Sequence, residues 1–513
     1  MFCKTVRLIP VLLLLLALFT LTAFADEAVC LNPAADASGF RSAGYLFDGK
    51  RSTYTGTDGD ASVTLTDEGG IAALYIEFDR IPQPWTLNGA DCGQHGFLHE
   101  FVDVAALLGA PADTLTLSFP QSTVISEIYA FSTGELPDWV QQWQPPCEQA
   151  DLLLLSSHSD DEQLFFAGVL PYYAVERQLN VQVAYIVQHF DNHTRPHEQL
   201  DGLWTVGIRN YPVMPEFPDL YSESKDRAEA FSQAQAVFER AGFTYDDFVG
   251  YITECLRRFQ PLVVVSHDLN GEYGHGTHVY AAAALTDALT AAADEAWFPE
   301  SAAEHGVWTV EKTYLHLYPE NPIVMDWDVP LDSLGGKTAF QATQDGFACH
   351  KSQHWTWFNK WIYGTEDVPI TKATQIRGYS PCRYGLYDSK VGPDVTGGDF
   401  FENVETYAQR TARAEAEAAA EAARLQAEAE AAAKAQAEAE AAAQAAAEAE
   451  RLHAEAEAAA KAQAEAEAAA QAAQQAAQER QKVILVSAFA LALLFCGILI
   501  LIFALRRKPR ITK

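Results

Sequence analysis

Apolar positions run unbroken from Leu152 to Leu155, and the run stops just ahead of His158, Asp160, Asp161 and Glu162. A short, wholly apolar segment predicts a strand buried on both faces, as in a parallel sheet. The polar cluster then falls at the strand's carboxyl end, where open α/β sheets bind ligands. The pattern returns about 110 residues later, where Pro261–Ser266 (PLVVVS) leads into His267, Asp268, Glu272, Tyr273, His275 and His278. Val181–Val187 reads as a further strand, and Arg227–Ala241 and Thr244–Phe259 read as helices. Strands alternating with helices predict α/β layering around a mainly parallel sheet over residues 148–401. The stretch from Trp308 to Asn403, rich in Trp, Tyr and Pro, is expected to complete the core and the pocket rim.

Residues 28–147 have a different rhythm. Short β-type runs, Ser62–Leu65, Ala73–Phe78, Thr114–Phe119 and Val124–Phe131, are separated by Gly, Asp and Pro clusters. This predicts a small antiparallel β-sandwich. Leu46-Phe47-Asp48-Gly49-Lys50-Arg51-Ser52-Thr53 and Glu127-Ile128-Tyr129-Ala130-Phe131 resemble the corresponding parts of discoidin-like (galactose-binding-like) domains. That resemblance implies either a sugar-binding module or a packing partner for the next domain.

Residues 402–481 collapse to Ala, Glu and Gln with scattered Lys and Arg. Arg424-Leu425-Gln426-Ala427-Glu428 returns there as Arg451-Leu452-His453-Ala454-Glu455, a period of about 27. These are strong helix formers. Large apolar residues follow no sustained heptad, so a single semi-rigid helix is expected ahead of a tight coiled coil, with weak Ala-faced self-association second. At about 1.5 Å per residue such a helix reaches roughly 110–120 Å, the dimension of a stalk.

The two ends read as membrane signals. Lys4 and Arg7, the apolar Leu8–Phe24 and the small-x-small Ala23-Phe24-Ala25 make residues 1–25 a cleaved export signal, with an uncleaved anchor as the alternative. Residues 483–505 form a second apolar span, long enough to cross a bilayer as a helix. Arg506, Arg507, Lys508, Arg510 and Lys513 in the tail 506–513 then place the C-terminus in the cytoplasm and everything before Val483 outside. With 513 residues the chain is too long for one core. Its 35 Lys and Arg against 69 Asp and Glu, a formal net charge of −34, argue against a nucleic-acid partner. Eight cysteines are present, and the six outside the two membrane signals are compatible with disulfides; Cys349 with Cys382 is the first pairing to expect.

Candidate chemistry sits at the two strand ends. A loop after a strand can turn His158 and Asp161 toward one point, with Asp160 beside them, and His278 can arrive from the other strand end. Two imidazoles, one carboxylate and an open position make a catalytic zinc site, and iron(II) fits the same donors. Alone, Asp160-Asp161-Glu162 would read equally well as an acidic helix N-terminus.

Residues 151–170 and 261–283 resemble the two signature regions of the PIG-L/LmbE family of zinc-dependent N-deacetylases. The family's His-Pro-Asp-Asp-Glu appears as His158-Ser159-Asp160-Asp161-Glu162, and its Tyr-Gly-His-Pro-Asp-His as Tyr273-Gly274-His275-Gly276-Thr277-His278. Arg195-Pro196-His197-Glu198 is similar to its Arg-x-x-Glu, and His350-Lys351-Ser352-Gln353 to its His-x-Ser-Gln. The resemblance implies a Rossmann-like fold, metal binding by His158, Asp161 and His278, and Asp160 as general base. It also implies His275 and Tyr273 facing the reacting carbonyl, and Arg195 holding substrate or ordering the pocket. The usual substrates are N-acetylglucosamine units on lipids, thiols or other glycans.

Three positions depart from the family pattern. Ser159 and Gly276 stand where it has prolines, which is expected to loosen two loops. Thr277 stands where it has an aspartate, which removes a support for charge on His275. His189, His193 and His197 crowd one loop without the spacing of a second metal site, and His267 is expected behind the metal ligands. Asn192-His193-Thr194 fits a glycosylation sequon. Three readings follow: a membrane-anchored, extracellular zinc N-deacetylase acting on an N-acetylated sugar of the cell envelope; an amidase acting on a larger N-acyl sugar conjugate; or a surface carbohydrate-binding protein without catalysis.

Overall fold

A computed structural model of the chain describes residues 26–472. The export signal 1–25, the apolar span 483–505 and the tail 506–513 lie outside the described residues. Among those described, no helix is long and apolar enough to cross a membrane.

The architecture is mixed α/β. A six-stranded sheet runs in the order Val181–Tyr185, Leu152–Ser156, Val263–Ser266, Lys312–His316, Arg383–Ser389, Pro322–Val324. The first four strands are parallel, and Arg383–Ser389 runs antiparallel to both of its neighbours. Leu152 pairs with Val181 on one side and Val263 on the other. The chain therefore leaves Leu152–Ser156 toward one edge and returns on the opposite side, which makes a switch point between the two carboxyl ends carrying the polar clusters. Both strands are fully buried, as their unbroken apolar sequences require.

The helices form where the pattern places them. Thr244 caps Tyr245–Phe259 through a capping box with Asp247, and Arg257 and Arg258 close its last turn. That helix and Arg227–Arg240 pack against Gly276–Ala292, the helix that follows the second polar cluster. Phe400, Phe401 and Val404 are buried in the main core, so the body continues past residue 401.

Residues 30–131 form two antiparallel sheets around a core that includes Val63, Leu65, Ile76, Trp85, Leu117 and Phe119. The β-sandwich is thus present, with strands Ala61–Ile71, Ala73–Phe78, Ala112–Phe119 and Thr123–Phe131 over the four apolar runs. From Ala412 the chain forms a separate unit, helical to Ala472. It is laced by pairs one turn apart such as Arg424–Glu428 at 3.2 Å. Cys349 and Cys382 do not pair: all six cysteines among the described residues are free thiols, and Cys382 is buried.

Candidate metal centre

The turn after Leu152–Ser156 and the first turn of Gly276–Ala292 bring three donor atoms together. His158 Nδ1 lies 3.0 Å from Asp161 Oδ2 and 3.1 Å from His278 Nε2, and the latter two are 3.1 Å apart. Tetrahedral bonds of about 2.0–2.1 Å place zinc ligands roughly 3.3 Å from one another, so this triangle is within a few tenths of an ångström of that geometry. Lone pairs facing one another at such distances repel unless positive charge lies among them. Burial opposes charge on His158, yet Asp219 and Asp161 raise it to about 10. Burial likewise opposes charge on His278, and Asp161 raises it to about 8. Burial pushes Asp161 up, but His278 and His158 hold it well below the usual carboxylate range. A divalent cation meets the same demand, and two imidazoles with one carboxylate are the donors zinc or iron(II) takes. His275 and His267 also approach His278, in groups whose donor atoms lie within 4.8 Å. Both nitrogens of His267 are engaged elsewhere, by Glu272 and the Ser157 N–H.

Behind the triangle sits Glu272, wholly buried and shared by three imidazoles. Its Oε2 accepts from His278 Nδ1 at 2.7 Å and His267 Nδ1 at 2.8 Å, and its Oε1 meets His316 Nδ1 at 2.6 Å. His267 Nε2 accepts the Ser157 N–H at 2.9 Å. The His278 bond puts that ring's proton on Nδ1 and aims the Nε2 lone pair at the triangle. His316 is held between two acceptors, Glu272 Oε1 on one side and the Ser380 carbonyl at 3.0 Å on the other. Glu272 is held well below the carboxylate range: burial works against it, and His267 and the other imidazoles prevail. His158 has a looser counterpart in Asp219, whose Oδ1 is 3.4 Å from His158 Nε2.

Asp160 stands next to the triangle without belonging to it. Burial pushes its carboxyl up to about 7 against the pull of Arg195, whose Nη2 is 3.6 Å away. Arg195 also reaches Asp219 at 3.3 Å and donates to the Ser159 carbonyl at 3.1 Å. Arg195 opens the helix Arg195–Thr205, and the sandwich grips that helix. His99 Nε2 meets His197 Nδ1 at 2.7 Å, Gln141 donates to Asp201 at 2.7 Å, and Arg51 bridges Glu77 and Asp201. Ahead of the helix, His193 bonds Asp79 at 2.6 Å and stacks on Tyr54. His189, His193 and His197 therefore do not share one loop environment: His189 turns to the centre, the other two to the sandwich. A cavity of about 710 Å³ lined by Arg51, Trp139, Asp201 and Trp204 lies along this seam, away from the triangle. The segments Arg195–Glu198 and His350–Gln353 meet directly, Ser352 donating twice to Glu198 at 2.9 and 2.5 Å.

Tyr273 and His275 close the other side, their rings 5.5 Å apart. Asp160 and Tyr273 have φ of 141° and 50°, a region non-glycine residues occupy only where the surroundings force them. Burial, with Asp161 and Asp160 nearby, raises the Tyr273 phenol far above its usual value, so it stays a donor. His275 caps its helix, its Nδ1 accepting the Thr277 N–H at 3.3 Å. Burial, His158 and His278 hold it well below the usual imidazole range. His275 is a neutral ring with its proton on Nε2.

The two positions without proline are anchored, not loosened. The Ser159 N–H donates to His189 Nε2 at 3.2 Å, and the Gly276 N–H to the Ser222 carbonyl at 2.8 Å; proline could make neither bond. A Cβ at Gly276 would also lie 2.0 Å from Ser222 Oγ. Gly276→Pro is expected to cost about 2–4 kcal/mol, from the unpaired carbonyl and the overlap. Thermal unfolding of the variant checks this, and an unchanged midpoint would refute it. Of two central groups, the sequence presents His189 only among the crowded loop histidines and does not single out Asp219. His189 follows the strand Val181–Tyr185, so the rule that led to the other two clusters, reading past each strand's carboxyl end, applies there too. Asp219 lies in an ordinary Pro-Asp loop and carries no such signal.

No family model matches the chain. Two curated relatives are 1D-myo-inositol 2-acetamido-2-deoxy-alpha-D-glucopyranoside deacetylases. That of Catenulispora acidiphila is 24% identical over 217 residues, 39% of this chain and 65% of the relative. That of Geodermatophilus obscurus is 26% identical over 212 residues, 38% of this chain and 70% of the relative. The chain thus spans 65% of the first relative's length. Among solved structures, the N,N'-diacetylchitobiose deacetylase of Pyrococcus horikoshii is 13% identical, covers 48% of this chain and 86% of its own, and has a TM-score of 0.31, too low to bear on the fold.

Proposed function

We propose that this chain is a zinc-dependent N-deacetylase that hydrolyses the acetamide of an N-acetylglucosamine-type sugar. The observation that carries the reading is the triangle of His158, Asp161 and His278 beside a carboxyl that burial raises to about 7. The curated relatives support the substrate class.

His158, Asp161 and His278 hold the cation, with Glu272 and Asp219 orienting the imidazoles. When bound there, a divalent cation would supply Lewis acidity for ionising water and polarising the amide carbonyl. Asp160 accepts the proton of the attacking water, and its raised pKa suits both taking and returning a proton near neutrality. His275, neutral, donates its Nε2–H to the developing oxyanion, and the Tyr273 phenol donates from the neighbouring ring. A neutral imidazole is a poor acid, so Asp160 passes its proton on to the departing amine. Arg195 keeps Asp160 in place.

Reconstituting the metal-free protein with zinc and measuring acetate from N-acetylglucosamine conjugates tests the reading: release that returns with zinc supports it. Zinc bound at one equivalent with no acetate from any acetamido sugar sinks it. Placement outside a membrane rests on the sequence of residues 1–25 and 483–513. Membrane fractionation with protease accessibility tests that part by itself.

A further inference from the structure

Tyr221 is 69% exposed, although its ring lies only 5.4 Å from that of His275. It is not a loose surface side chain. Its segment is clamped along the helix entry by Gly276 N–H to the Ser222 carbonyl at 2.8 Å and Ser224 N–H to the Gly274 carbonyl at 3.0 Å, and its hydroxyl bonds Glu223. A fixed aromatic face open to water beside a reaction centre points to a ligand that covers it. On the same segment lies a cavity of about 630 Å³ lined by Tyr221, Ser222, Glu223, Gln233, Val237 and Arg240. That volume is in the range of small-molecule sites. Its lining offers a carboxylate, an amide and a guanidinium around one aromatic ring.

A pyranose has matching chemistry: an apolar C–H face for the aromatic ring and a rim of hydroxyls for the polar groups. We propose that Tyr221 and this cavity form a second saccharide subsite, so that the substrate is an oligosaccharide whose next ring stacks on Tyr221 while the acetamido ring sits at His275. The inference rests on the deacetylase reading and extends it from a sugar unit to a glycan chain.

The probes are N-acetylglucosamine and its β-1,4- and β-1,6-linked oligomers of up to four units. They are titrated calorimetrically into the zinc-loaded full chain carrying Asp160→Asn, with and without Tyr221→Ala. At least one oligomer series is expected to bind about tenfold more tightly than the monosaccharide. Tyr221→Ala removes that gain and leaves monosaccharide affinity unchanged, and Tyr221→Phe retains it. Affinity independent of chain length in both series overturns the subsite. So does a Tyr221→Ala loss equal for monomer and oligomer, which would assign the ring to the acetamide position. If no sugar of either series binds while wild type still releases acetate from another acetamido compound, the subsite alone falls. If zinc-loaded wild type releases no acetate from any acetamido sugar, the parent reading falls.

Discussion

Asp160→Asn is expected to lower kcat about 10³- to 10⁴-fold while the protein keeps its zinc. Asparagine preserves the side chain's size and tolerates positive φ better than most residues, so the strained turn at 141° survives. Arg195 loses one carboxylate but retains Asp219 and the Ser159 carbonyl. The proposed metal donors are untouched, because Asp160 lies outside the triangle. What disappears is the group proposed to take the water's proton and return it to the amine. Its ionisation also sets a pH limb. Burial raises Asp160 to about 7, and a cation at the triangle draws it down, so wild-type activity rises with pH through a limb at or below about 7. The limb is absent from the variant's residual rate. Steady-state kinetics across pH with metal analysis of the same samples decides it: a kcat within tenfold of wild type at full zinc occupancy removes Asp160 from the chemistry.

The parts of this site that could be read from the sequence are those that follow buried strands. Unbroken apolar runs leave little choice but a two-faced strand, and His158, Asp161, Tyr273, His275 and His278 stand directly after two of them. That the two strand ends can converge was an expectation of the sequence, and the structure supplies the adjacency of the strands and the switch point between them. Asp219 was not legible, since a single carboxylate in a loop has no periodicity and acquires meaning only where the chain returns to His158. Glu272 lay within a recognised motif, but its part depends on His316, 44 residues away on the next strand. The assumption that missing prolines mean looser loops failed for a local reason: each freed N–H found an acceptor, one on His189 and one on Ser222. The sandwich strands were legible by alternation, but its hold on Arg195–Thr205 was not, because His99, Gln141 and Asp201 are far apart in sequence.

Glu272→Gln is expected to weaken zinc binding about 10- to 100-fold although residue 272 touches no metal. A glutamine presents one acceptor and one donor group where the carboxylate presents two acceptors. Ser157 fixes the proton of His267 on Nδ1, so that ring still needs an acceptor from residue 272. If the amide nitrogen turns instead toward His278 Nδ1, the His278 proton moves to Nε2, the atom that must face the cation. If it turns toward His316, that ring's Nδ1 loses its carboxylate acceptor in a fully buried place. Each orientation strands a buried donor, which costs about 1–3 kcal/mol. The metal-free variant is therefore expected to unfold at lower temperature, and the zinc-loaded variant to release its metal to a weaker chelator. Asp219→Asn gives the comparison: its contact with His158 is longer, at 3.4 Å, and it is part exposed, so its effect on zinc affinity should be smaller. Equal zinc affinities for wild type and Glu272→Gln in a chelator competition would mean that His278 needs no carboxylate behind it. The proposed division between metal-binding and supporting residues would then be wrong.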